Sequence, residues 1–154
     1  LENFYENKKL TLRNPDSTRP WQHVLEPLVG YLLLAEKLSS KKGNMYCEPW
    51  NFGPSLKQNM KVKDLAENFK SKMNSNSQIT TINREKKFHN SKINIFESKD
   101  LNINSKKISN KLKWKPKLSI QESIDLAIKW YQAFKTKKNL FNLTNDQIEY
   151  YLDQ

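Results

Sequence analysis

Two of the chain's three arginines, Arg13 and Arg19, fall in one stretch: Arg13-Asn14-Pro15-Asp16-Ser17-Thr18-Arg19-Pro20-Trp21-Gln22-His23-Val24-Leu25-Glu26-Pro27-Leu28. An arginine fork can grip a phosphate through two parallel N–H···O bonds. Trp21 offers a face for stacking, and Gln22 and His23 add polar contacts. That chemistry is the holding of an anionic ester rather than the breaking of a bond. The same stretch also reads as a strand–turn–helix joint with solvated arginines. The scarcity of arginine elsewhere keeps the phosphate reading open beside it. Cys47 is the single cysteine, so no internal disulfide is possible. A nucleophilic thiol needs a positioned base, so Cys47 is expected to be a semi-buried structural thiol. No metal-ligand set is expected.

The composition bounds the partners. With 154 residues, 36% of them hydrophobic and 28% charged, the chain has the make-up of a globular protein with a wet surface. Its formal net charge is +11, a balance that suits nucleic acid, anionic membranes or acidic ligands. The charge is almost all lysine, however, 24 against three arginines, and asparagine is abundant. That pattern follows compositional drift, whereas reading phosphates and bases with planar forks favours arginine. A basic nucleic-acid-binding module is therefore the rival reading from another class. The longest apolar run, Tyr31–Ala35, is far short of the roughly 20 residues of a membrane span. No membrane partner is expected, and a cytoplasmic location fits the cysteine usage.

The elements that must position these residues are mostly helical. Residues 1–7 read as a short helical remnant. Lys9–Arg13 alternates like a strand and runs into the turn Asn14-Pro15-Asp16. Trp21–Leu25 reads as extended. Pro27 suits a first helical turn, and Leu28, Leu32, Ala35 and Leu38 repeat at helical spacing to about Ser39. Lys41–Asn44 is a loop and Met45–Phe52 a buried strand. Val62, Leu65, Ala66, Phe69 and Met73 mark an amphipathic helix. A polar linker, Asn74–Gln78, and a short strand, Ile79–Ile82, follow. Arg84–Asn94 is polar and unassigned. Ser105–Leu112 is a helix stopped near Trp114-Lys115-Pro116. Ser119 and Glu122 form a capping box for a helix whose apolar face is Ile120, Ile124, Ala127, Ile128, Tyr131 and Phe134. Thr144 and Gln147 repeat that pattern before a last helix. The class is α/β and helix-rich, one domain by length. The chain has no Gly-rich loop after a strand, hence no complete dinucleotide-binding unit.

Arg19-Pro20-Trp21-Gln22-His23-Val24 followed by Leu25-Glu26-Pro27-Leu28 resembles the CDP-glucose 4,6-dehydratases. These belong to the NAD-dependent epimerase/dehydratase branch of the extended short-chain dehydrogenases. Glu48-Pro49-Trp50-Asn51-Phe52-Gly53-Pro54, Lys111-Leu112-Lys113-Trp114-Lys115-Pro116 and Ile128-Lys129-Trp130-Tyr131 resemble further blocks of that family, in the family's order. The resemblance covers essentially the whole chain. It implies the C-terminal, sugar-nucleotide-binding part of such an enzyme, without its Rossmann half. It further implies that Arg19 contacts the substrate pyrophosphate and that Asn51 lies at the sugar-nucleotide site. Trp21, Gln22 and His23 match the motif, and Arg13 is a candidate second phosphate contact. In the family a hydride leaves C4, water is lost across C5 and C6, and the hydride returns at C6. The NAD would be bound by the absent half, and the intact enzyme would be a homodimeric lyase of cell-surface polysaccharide synthesis.

The chain also departs from the family. Glu97 matches a family position, but Phe96 stands where a histidine is usual and Asn104 where an aspartate is common. His89 is a candidate replacement for that histidine. The family's Trp-containing segment is missing from the lysine-rich stretch Ser71–Lys92. The family's catalytic Tyr-x-x-x-Lys spacing occurs at Tyr5/Lys9 and Tyr131/Lys135, but both lie downstream of where the family places the pair. No catalytic residue is therefore expected within this chain. Taken alone, the chain is expected to be inactive and to expose apolar surface. Other nucleotide-sugar epimerases or dehydratases of the superfamily, or a standalone nucleotide-sugar-binding domain, are the alternatives.

Overall fold

The computed structural model describes residues 1–55, 58–82 and 98–154. Glu97, Phe96, His89 and the polar stretch 84–94 lie outside the described residues. Where length suggests one domain, the chain divides into two compact units. The first comprises Leu1–Arg19 and Met60–Leu101, the second Pro20–Asn59 and Asn102–Gln154.

The first unit carries the short strands. Helix α1 spans Glu2–Tyr5 and strand β1 Leu10–Leu12. Strand β2 is Thr18–Arg19, and β3, Met60–Lys61, pairs with it antiparallel. Helix α3, Val62–Lys72, leads to β4, Ile79–Thr81, which lies parallel to β1 with Leu10 opposite Ile79. The amphipathic spacing of α3 does what it predicts. Ala66 is buried against Phe4 and Leu12, and Val62, Phe69 and Met73 complete the cluster with Leu10 and Ile79. The expected polar linker 74–78 is different from its reading. Ser75 and Ser77 are buried. Ser77 Oγ donates to Asn3 O at 2.8 Å, and Ser75 and the Asn76 N–H both bond Asn7 Oδ1. Serines at this density look like a solvated connector, yet buried hydroxyls are stable once each finds a partner.

The second unit is helical. Helix α2 runs Leu25–Leu38 and a 3-10 turn Gly43–Tyr46. The expected strand over Met45–Phe52 is absent, because Gly43 N–H and Met45 N–H close tight turns on Ser40 O and Lys42 O. Cys47 is consequently exposed rather than semi-buried. Helix α4, Lys106–Leu112, stops at Lys113 in the left-handed region, φ 59°, before the Pro-containing segment is reached. Helix α5, Ile120–Lys135, carries both bonds of the Ser119/Glu122 capping box. Its apolar face is not wholly inward, since Phe134 is exposed. Helix α6, Leu140–Leu152, starts at the Asn139 cap, so Thr144 and Gln147 lie inside it. Thr144 Oγ1 accepts from Trp130 Nε1 at 3.0 Å, and buried Gln147 donates to Leu126 O at 3.0 Å. A Ser/Thr-x-x-Gln spacing marks a cap only where the chain enters a helix.

Phe52, Ile108, Leu112 and Trp114 form the core of this unit, with Leu33, Leu34, Tyr46 and Trp50 against it. Gly30 lets α2 approach: a Cβ there would stand 2.3 Å from the Phe52 ring and 3.0 Å from Trp114 Nε1. Alanine normally stabilises a helix over glycine by up to about 1 kcal/mol. Here overpacking costs about 1–3 kcal/mol, so Gly30→Ala is expected to lower the Tm. A raised Tm would show that the Phe52 ring moves aside freely.

Candidate functional site

The stretch that could grip phosphate is divided at Arg19-Pro20 between the two units. Arg13 follows β1 and is exposed. Arg19 lies in β2, half-buried. Its Nη1 donates to Thr18 O at 2.8 Å and to Lys99 O at 3.3 Å. Those carbonyls belong to a local ladder in which Thr18 N–H bonds Lys99 O and Leu101 N–H bonds Thr18 O. The guanidinium thus has a set direction. A guanidinium presents its donors in a fixed planar fork.

In the second unit Trp21, Gln22 and His23 are half-buried and lead directly into α2. Gln22 Nε2 donates to Phe52 O at 3.0 Å, which ties the joint to the residue after Asn51. Gln22 Oε1 is buried with no partner among the described residues. His23 Nδ1 accepts from Leu25 N–H at 3.4 Å. Burial pushes the His23 imidazole below its ordinary pKa of 6.5, since desolvation penalises the cation. Burial thus favours the neutral imidazole, with one ring nitrogen a donor and the other an acceptor.

Asn51 is exposed, and Phe52, Gly53 and Pro54 behind it are buried. Gly53 N–H donates to Ser105 Oγ at 2.8 Å, and the Ser105 hydroxyl donates back to Gly53 O at 3.1 Å. A Cβ on Gly53 would meet Ile103 at 2.6 Å, so this seat requires glycine. Ahead of it, Trp50 donates to Tyr46 O at 2.9 Å and carries Lys107 Nζ at 4.7 Å over its ring. Glu48 bonds Lys107 at 2.7 Å and Lys111 at 2.8 Å. Those two bonds, Lys107 first, hold its carboxyl below the usual range.

The residues that sequence reasoning missed form one buried node. Glu26 is 1% exposed. Its Oε1 accepts from Lys117 N–H at 2.9 Å and Leu118 N–H at 2.7 Å, and its Oε2 from the Tyr151 hydroxyl at 2.7 Å. Trp114 Nε1 donates to Glu26 O at 3.3 Å. Burial, then the Glu26 hydrogen bond, drives the Tyr151 phenol well above its ordinary value. The one available signal was an acid set inside the apolar run Leu25–Leu28. Among the described residues no group of three or more His, Cys, Asp or Glu is placed to hold a metal ion.

The structure thus holds the second half of the motif, Gln22 and the Asn51 loop, on one packed unit, and Arg13 and Arg19 on the other. The architecture is a helix-rich mixed α/β part with few strands. No family model matches the chain. The chain is 28% identical over 152 residues to CDP-glucose 4,6-dehydratase of Salmonella typhimurium (strain LT2), a similarity that covers 99% of the chain. The chain spans 40% of the length of that enzyme. It is a distant relative of a sugar-nucleotide dehydratase.

NAD, the cofactor implied by the resemblance, does not fit the residues present. Its pyrophosphate needs closely spaced glycines in a strand–helix turn. The three glycines here are Gly30, Gly43 and Gly53, and each is packed against Phe52, Leu38 or Ile103. No helix of the described residues is long and apolar enough to cross a membrane.

Proposed function

We propose that this chain is the sugar-nucleotide-binding part of a 4,6-dehydratase whose substrate is CDP-glucose, with Arg19 on the pyrophosphate. The observation that carries the reading is a similarity to CDP-glucose 4,6-dehydratase that runs through 99% of the chain, with Arg19-Pro20-Trp21-Gln22-His23-Val24 and Trp50-Asn51-Phe52-Gly53-Pro54 both present. Arg19 would supply a fixed, permanently charged fork. Asn51 would face the sugar nucleotide from a loop made rigid by Ser105. Trp21, Gln22 and His23 would belong to the same motif, Arg13 would be a second cation for the diphosphate and Glu97 a further polar contact. NAD and the acid–base residues would come from sequence outside these residues, and the intact enzyme would be a homodimer.

A further observation supports a part that packs on another body. Val24 at the start of α2 and Leu28, Tyr31, Leu32, Ala35 and Leu38 within it follow one another at helical spacing, and all are exposed, Leu32 at 71%. A contiguous apolar stripe of this kind is uncommon on a self-sufficient monomer.

Isothermal titration of CDP-glucose into the chain tests the reading, with Arg19→Ala as the comparison. Loss of an arginine–phosphate pair is expected to weaken binding roughly 10- to 100-fold, the equivalent of about 1.5–3 kcal/mol. Equal binding by both proteins would remove Arg19 from the site. No binding by the wild-type chain, repeated with the N-terminal part of a full-length dehydratase joined to it, would refute CDP-glucose as the ligand.

A further inference from the structure

We propose that Glu26 is a positioning residue: through the Tyr151 hydroxyl, the end of α6 holds the Glu26 carboxylate and with it the Gln22–His23 segment that leads into α2. The inference rests on the reading of that segment as part of a nucleotide-sugar site.

Three sets of contacts meet there. Glu26 N–H donates to His23 O at 3.1 Å, so the residue two before α2 is tied directly to the buried node. The Gln22 amide is held on Phe52 O, and Phe52 packs edge to face on Trp114 at 5.3 Å. Trp114 in turn donates to Glu26 O. Lys117 closes the circuit. Its backbone N–H bonds the carboxylate, while its Nζ donates to Tyr151 O and Leu152 O at 3.3 and 3.2 Å and lies 5.2 Å over the Tyr151 ring. A cation on the last carbonyls of a helix satisfies groups that have no partner within it.

A carboxylate at this burial is not needed for stability as such. Well-packed apolar residues usually serve a core as well or better, and buried ionic groups are best attested where they select one arrangement among several. Here the arrangement selected is local: where α2 begins, and therefore how far His23 is withdrawn from water.

The test uses Tyr151→Phe, which keeps the ring and removes only the donor to Glu26. Thr144→Val is the control, because it removes a hydrogen bond from the same helix to Trp130 with little change of shape. Two readouts are taken on each. The first is the CDP-glucose Kd. The second is the His23 imidazole titration by NMR, with His89→Gln assigning the other histidine.

Tyr151→Phe is expected to weaken binding about three- to tenfold. It is also expected to move the His23 pKa up towards 6.5 as the ring gains water, with Thr144→Val matching wild type in both. An unmoved His23 titration in Tyr151→Phe overturns the proposal whatever the ligand data show. So does an unchanged Kd where the wild type binds. A wild-type chain that does not bind CDP-glucose defeats the functional reading, while the His23 titration still decides the positioning. Should Tyr151→Phe fail to fold, Lys117→Met, at an exposed side chain, removes the Nζ contacts and is read in the same two ways.

Discussion

Replacing Glu26 with alanine lowers the stability of the second unit by about 3–5 kcal/mol, because it strands three donors at once, two of them on the buried residues Leu118 and Tyr151. Lys117 N–H, Leu118 N–H and the Tyr151 hydroxyl all end on this carboxylate, and Glu26 is 1% exposed. A whole domain is typically stable by only about 5–15 kcal/mol, so the loss is a large share of the total. Urea unfolding followed by far-UV circular dichroism measures it. Glu26→Gln is expected to cost far less. Both backbone donors use Oε1, which glutamine keeps as a carbonyl, and its amide can donate to the Tyr151 oxygen once the phenol proton turns away. Equal losses in Glu26→Gln and Glu26→Ala would show that the negative charge, not the acceptor geometry, holds the node. The phenol adds a pH dependence. Its folded pKa is raised above the ordinary 10.0, so its contribution is fully present below about pH 10 and is lost as pH rises through the folded value.

Trp114→Ala is expected to cost about 3–5 kcal/mol as well, the usual range for deleting a buried aromatic ring. Trp114 is 4% exposed and sits among Phe52, Ile108 and Leu112. Its removal opens a cavity against the Phe52 ring and frees the Glu26 carbonyl from its indole donor. Trp114→Phe restores much of the volume but not the N–H, and is expected to recover about half of the loss. The double variant Glu26→Ala/Trp114→Ala is expected to be less destabilised than the sum of its parts, since both act on one node. Strict additivity would mean that the two sites are independent.

Local grammar made much of this protein legible. The alternation of Lys9–Arg13 and the spacing of Val62 through Met73 place β1 and α3 where they are found. The Ser119/Glu122 box marks the start of α5 to the residue. These signals are read within a few residues, because a cap or an apolar stripe is formed by neighbours in the chain. The Arg19–Val24 motif was legible in the same way, as a dense local pattern of scarce residue types.

What the local pattern lacked was direction. α2 is apolar on most of its circumference, so the spacing of Leu28, Leu32, Ala35 and Leu38 marks a helix without saying which face is covered. The structure buries Glu26 and Gly30 and leaves that row exposed. Gly30 decides the matter by admitting the Phe52 ring. The apolar run Met45–Phe52 likewise suited a strand, but Tyr46 and Trp50 reach the core from a turn. The amino-acid sequence by itself determined the helix-rich class and most element boundaries. Only the tertiary structure decided which face of α2 is covered, and it alone made an acid the centre of a core. Lys117, Leu118 and Tyr151 lie 91, 92 and 125 residues from Glu26. No local spacing encodes contacts of that range, because burial of a charge becomes tolerable only when distant donors arrive together.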